Sequence, residues 1–177
     1  MPPYPYRLPP VKEGELVELT DSADRPLLVV PRAHIRRFGL GRRVVLVALR
    51  DAGGKIYVQQ RGHDRDLLPG FWDLSATGHV HAGEAREDAA WRELEEEIGI
   101  RRVRLVRLAE YAQDAAGASF STLYLAGPAF EPPVPNPAEV SGGIFLDEDE
   151  LRALAACDPD CVTPGLRWAL GTGLLFR

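Results

Sequence analysis

Glu93, Glu96 and Glu97 stand at i, i+3 and i+4 within Gly78 to Ile100, which reads G-H-V-H-A-G-E-A-R-E-D-A-A-W-R-E-L-E-E-E-I-G-I. At ~3.6 residues per turn, this spacing stacks the three carboxylates on one side of a helix. Like charges so placed repel, each pair costing about 0.2–0.5 kcal/mol. A hard cation offsets that cost, because Mg²⁺ and Mn²⁺ take carboxylate oxygens. Gly78 and Gly83 make the approach a hinged loop, and Gly99 is the left-handed stop that a helix end favours. The run therefore reads as a place to hold divalent metal against a phosphate group. A solvated acidic helix would account for the carboxylates but not for the glycines.

The same stretch fits the pattern G-x5-E-x7-R-E-U-x-E-E-x-G-U, with U a bulky aliphatic residue, at Gly78, Glu84, Arg92, Glu93, Leu94, Glu96, Glu97, Gly99 and Ile100. Average residue usage makes a chance match in a chain of this length on the order of one in ten million. The pattern resembles the Nudix box. Leu68-Pro69-Gly70-Phe71-Trp72-Asp73-Leu74 is similar to the approach to that box, and Ser141 to Leu151 to the final strand and following helix of the family. The resemblance runs from about Glu15 to Ala156, and only the box is sharply specific.

What the resemblance implies is an α/β fold, a Nudix-type α/β/α sandwich with a mixed β-sheet, here with an N-terminal β-hairpin extension. It implies Mg²⁺-dependent hydrolysis, with Mn²⁺ as the substitute, of a diphosphate bond in a nucleoside di- or triphosphate or a nucleoside diphosphate derivative, by water attack on phosphorus. Glu93, Glu96, Glu97 and the Gly78 carbonyl would be the metal ligands. Glu84, Arg92 and Gly99 would support the box. The general base would be Glu93, or Glu139 on a later loop. Arg61 and Arg65 would meet the substrate phosphates, since guanidinium groups pair well with phosphate oxygens. His79 and His81 occupy variable positions of the pattern.

Around the box the chain reads as alternating strands and helices. Residues 1–12 carry five prolines and read as an extended arm, leaving 13–177 as a single domain. Glu15 to Leu19 and Leu27 to Val30 suit a hairpin turned by Asp21 to Asp24. The apolar run Val44 to Leu49 suits a central strand buried on both faces, followed by strands over Lys55 to Arg61 and Leu74 to Thr77. A helix from about Ala85 to Ile98 should pack through Ala90, Trp91, Leu94 and Ile98. Strands over Arg102 to Tyr111 and Ser119 to Ala126 flank a turn at Gln113 to Gly117, and the proline-rich Glu131 to Pro137 should be irregular. Asp147 with Glu150 begins one helix and Thr163-Pro164 another, reaching about Leu175.

Composition narrows the partners. A net charge of −5, with no basic cluster interleaved with aromatics, argues against a nucleic-acid polymer. The alternating arginines from Arg101 to Arg107 read as the wet face of a strand. No apolar segment approaches the ~18 residues of a membrane span, and two isolated cysteines, Cys157 and Cys161, fit free thiols in a reducing, cytoplasmic setting. The hairpin edge and the arm suggest a homodimer.

Two other readings share the fold. The segment Trp72 to Val80 also resembles type I isopentenyl diphosphate isomerases, but those need a cysteine just before the box glycine, where this chain has Thr77. A non-catalytic nucleotide-binding module is the third reading, and an intact box argues against it.

Overall fold

The computed structural model describes residues 15–37, 40–65, 67–101, 103–112 and 119–177. The arm of residues 1–12 and the turn at Gln113 to Gly117 lie outside them. In chain order the elements are β1 (Leu16–Thr20), β2 (Pro26–Pro31), β3 (Gly41–Asp51), β4 (Ile56–Arg61), β5 (Trp72–Asp73), β6 (Ala76–His79), α1 (Arg86–Ile98), β7 (Leu105–Ala112), β8 (Ser119–Ala129), β9 (Val140–Leu146), α2 (Glu148–Cys157) and α3 (Pro164–Gly171).

One mixed sheet organises them. β3 runs antiparallel to β1, β4 and β6 and parallel to β8. β7 extends β8, β9 and β5 flank β4, and β2 lies beyond β1 at one edge. The unbroken apolar run in β3 follows from its position. Val45, Val47 and Leu49 pack beneath α1, whereas Leu46 and Ala48 face Leu151 of α2 and Leu166, Ala169 and Leu170 of α3. Helices on both faces give the expected α/β/α sandwich. Among the described residues no helix is long and apolar enough to cross a membrane.

Local signals account for most element ends. In the β1/β2 turn, Asp21 Oδ1 accepts the backbone N–H groups of Ala23 and Arg25 at 2.9 Å each. Asp147 and Glu150 close the capping box of α2, at 2.9 and 2.8 Å. Cys157 and Cys161 are free thiols.

Four expectations change. The single strand over Leu74 to Thr77 is instead two short strands, β5 and β6. They are broken at Ser75, whose buried Oγ accepts from Leu49 N–H at 2.6 Å and donates to the Tyr57 carbonyl at 2.5 Å. β7 begins at Leu105, so Arg101 and Arg104 precede it; Arg101 pairs with Glu95 at 2.5 Å. α3 stops at Gly171 because Thr172 turns its hydroxyl back onto the Ala169 carbonyl at 2.7 Å. On α1, Ala89 takes the buried place expected of Trp91, which is half-buried.

Candidate active site

Helix α1 begins without a side-chain cap, but Glu87 and Asp88 in its first turn suit the positive end of the helix dipole. It ends at Gly99, with φ of 69°, where the Gly99 N–H reaches the Glu95 carbonyl and the Ile100 N–H the Leu94 carbonyl. Small Ala89 and Ala90 allow a close approach to the sheet, with Leu94 and Ile98 fully buried. This packing turns two of the three glutamates inward. Glu93 is 8% exposed and Glu97 2%, while the Glu96 side chain is half exposed.

Arg92 joins the helix to its loop. Its Nε and one terminal nitrogen donate to the two oxygens of Glu84, at 2.9 and 3.0 Å, a bidentate pair. The same terminal nitrogen reaches the His79 carbonyl at 2.9 Å, and the other reaches Glu93 at 2.7 Å and Glu96 at 3.1 Å. Glu84 also accepts the His81 N–H at 2.8 Å. Burial alone would raise Glu84, but the Arg92 contacts hold it below the usual carboxylate range.

Glu97 has neutral hydrogen-bond partners. Its Oε2 accepts from Gln59 Nε2 at 2.6 Å and from the Thr77 N–H at 3.1 Å. Burial first, and then the Glu93 charge, push its pKa up to about 8. Burial likewise raises Glu93 to about 7, against the opposing pull of Arg92. Gly78 lies directly against Glu93, whose carboxylate fills the space a Cβ would need. These residues fit a divalent cation: hard oxygen donors converge on a backbone that only glycine allows to come so close, and the buried Gln59 Oε1 nearby lacks a hydrogen-bond partner. Among the described residues, no three His, Cys, Asp or Glu side chains form a preformed metal cage. The Arg92 guanidinium lies between Glu93 and Glu96 instead.

The remaining expected residues are engaged within the protein. Arg61 pairs with Asp73 at 3.1 Å and donates to the Leu67 carbonyl at 3.0 Å. Arg65 pairs with Glu139 at 2.7 Å, bringing together one candidate phosphate ligand and one candidate base from 74 residues apart. A substrate phosphate would compete with these carboxylates. His79 accepts from Arg42 Nε at 3.2 Å, and burial, with Arg32 and Arg42 close by, lowers its pKa to about 3.

Sequence reasoning missed Gln59 and Asp73. The first is a buried polar residue midway along a strand that turns from apolar to polar at that point, and the second ends a Trp-Asp pair, but what they bond to depends on strands meeting in space.

The family model described as NUDIX domain matches residues 40–164, which covers the loop, α1 and every residue of this cluster. The chain belongs to the Nudix family. Hydrolases of this family are pyrophosphohydrolases and in general use a divalent metal ion. An uncharacterized Nudix hydrolase of Pseudomonas aeruginosa is 46% identical over 89 residues, 50% of this chain and 53% of that protein, so the match spans about half of that relative. A protein of Nocardia farcinica named isopentenyl-diphosphate Delta-isomerase is 32% identical over 157 residues, 85% of this chain and 89% of its own length. The crystal structure of DR0079 from Deinococcus radiodurans superposes with a TM-score of 0.70 at 28% identity, covering 80% of this chain and 90% of that one.

Proposed function

We propose that this Nudix enzyme is a Mg²⁺-dependent hydrolase, also served by Mn²⁺, that cleaves the diphosphate of a nucleoside di- or triphosphate or a nucleoside diphosphate derivative. The observation that carries the reading is the burial of Glu93 against Gly78 and of Glu97 one turn on beside Thr77, where two carboxylates are costly unless a cation joins them. Glu93, Glu96, Glu97 and the Gly78 carbonyl would hold that cation, which supplies neutralisation of the diphosphate charge during an in-line displacement.

The chain's own groups supply the rest. Glu93 is the first candidate to accept the proton from the attacking water. Glu139 is the second candidate, and its bond to Arg65 would have to open or be shared. As water adds to phosphorus, the bridging P–O bond breaks and the leaving group departs with the bridging oxygen. Arg65, and Arg61 if it exchanges Asp73 for substrate, would bind non-bridging oxygens. The partners are small diphosphates of the cytoplasm. The half-exposed Leu27, Leu28 and Val29 on edge strand β2 support a homodimer, which a monomeric mass in light scattering would overturn.

The test is a panel of nucleoside di- and triphosphates, dinucleotides, nucleotide sugars and prenyl diphosphates, with Mg²⁺ or with chelator, in ¹⁸O-water. Metal-dependent cleavage with label in one phosphate-bearing product is expected. Equal cleavage in excess chelator would overturn the metal role.

The Nocardia relative favours a second reading, isomerisation of isopentenyl diphosphate. Thr77 opposes it: its hydroxyl donates to Asp73 at 3.3 Å, and its pKa is too high to exchange protons with carbon. Rapid formation of the dimethylallyl isomer without label uptake would reverse this choice.

A further inference from the structure

We propose that Asp73 is a positioning residue for Glu97, and that through Thr163 it ties helix α3, on the far side of the sheet, to the metal-binding face of α1. The inference rests on the assignment of Glu97 to the metal site.

Asp73 is buried at the end of the short strand β5, and both of its oxygens are engaged. Oδ1 accepts the Leu74 N–H at 2.8 Å and the Thr163 hydroxyl at 2.7 Å. Oδ2 accepts from Arg61 at 3.1 Å and from the Thr77 hydroxyl at 3.3 Å, the last near the long limit for such a bond. Arg61 thus supplies the charge partner that a buried carboxylate requires.

Both donors to Glu97 lie next to Asp73. Thr77 shares its hydroxyl with Asp73 while its own N–H reaches Glu97 at 3.1 Å. Gln59, whose amide donates to Glu97 at 2.6 Å, is the cross-strand partner of Asp73 in the β4/β5 ladder. Side chains directly opposite in such a ladder sit ~5 Å apart on one face. The Asp73 carboxylate therefore bonds to one of the two groups that aim Glu97 and lies on the strand directly opposite the other.

On the other side, Thr163 is the N-cap of α3. Its hydroxyl oxygen accepts the Leu166 N–H at 3.2 Å while donating to Asp73, and its own N–H reaches the Trp72 carbonyl at 2.9 Å. The connection is continuous: Leu166, Thr163, Asp73, Thr77, Glu97. Partners that orient metal-binding carboxylates are commonly worth 10- to 100-fold in metal affinity.

The experiment measures Mn²⁺ binding by electron paramagnetic resonance, together with kcat, KM and melting temperature. Asp73→Asn and Thr77→Val are compared with Thr163→Val and Thr163→Ser, all in the full chain. Thr77→Val removes only the hydroxyl bond and keeps the backbone donor to Glu97. The two substitutions at 73 and 77 are expected to weaken Mn²⁺ binding by about tenfold and to lower kcat more than they raise KM. Thr163→Val should act in the same direction, and Thr163→Ser, which keeps the hydroxyl, should restore wild-type binding. A purely structural role would lower the melting temperature and leave Mn²⁺ affinity unchanged in the folded variants; that result overturns the proposal. Glu97→Gln is the reference. If it leaves Mn²⁺ affinity unchanged, the metal-site assignment has failed, and not the link from Asp73.

Discussion

Helix α1 buries carboxyl groups, and strand β2 exposes oil. On α1, Glu93 and Glu97 lie under the box loop, where carboxylates are almost never found unless paired. On β2, Leu27, Leu28 and Val29 are each about half exposed, 57%, 48% and 50%, with no charge between Pro26 and Pro31. Each region breaks the inside-outside rule in the opposite sense. The difference teaches where to look for binding: α1 holds its misplaced residues with designed partners, Arg92, Gln59 and Thr77, whereas β2 offers its own to the outside. Among the described residues the first kind of violation is held by hydrogen bonds and an ion pair, and the second by none.

The sharpest way to break this contrast is Glu97→Gln. If the charge on α1 serves catalysis and not folding, kcat should fall by about 100-fold or more while the melting temperature in chelator stays level or rises. A well-folded variant with a normal rate would sink the assignment.

Next in size is the pH dependence of the chelated protein. Glu93 and Glu97 titrate at about 7 and about 8 in the fold, above the ordinary value of 4.5. The folded chain thus keeps these protons longer than the unfolded one, and their contribution is full below pH 4.5 and lost as pH rises through 7 and 8. For Glu93 alone the loss is on the order of 3 kcal/mol. Urea unfolding in chelator from pH 4.5 to 8.5 reads it, and saturating Mg²⁺ should restore stability mostly at the alkaline end. A flat profile would mean that the carboxylates are better solvated than their burial implies.

Gly78→Ala tests the closeness of loop and helix. A methyl there meets the Glu93 carboxylate, so the loop must shift, at a cost of about 1–3 kcal/mol in chemical denaturation. Smallest of all, Leu27→Thr should change monomer stability by no more than about 0.5 kcal/mol, as surface substitutions generally do. A larger loss would show that β2 is packed after all.

How much of this was legible in the sequence depends on the range of each contact. Gly99 as helix stop, Asp21 in the hairpin turn and the Asp147–Glu150 cap all act within a few residues, and each follows from residue type. The Arg92–Glu84 pair was readable because both belong to one short motif. On the face of α1, Ala90, Leu94 and Ile98 were read correctly and Trp91 was not, since Ala89 lies inward only because the sheet comes so close, a fact about β3 and not about the helix. The break at Ser75 depends on Leu49 and Tyr57, and the engagement of Arg65 depends on Glu139. Nothing in the local pattern announces a partner on another strand. The candidate ligands were therefore legible by residue type, whereas the bonds made around them by Gln59, Asp73 and Thr163 were not.

The bond from Thr163 to Asp73 also has a temporal side. Chains emerge from the ribosome N-terminus first while a domain folds as a unit, and the box loop and α1 are synthesised well before the residue that completes the Asp73 bonds. Until Thr163 and the first turn of α3 are out, Asp73 lacks one of its donors and α3 has no capped start. Until then Asp73 keeps an unfilled acceptor, and strand β5 and the start of α3 settle together.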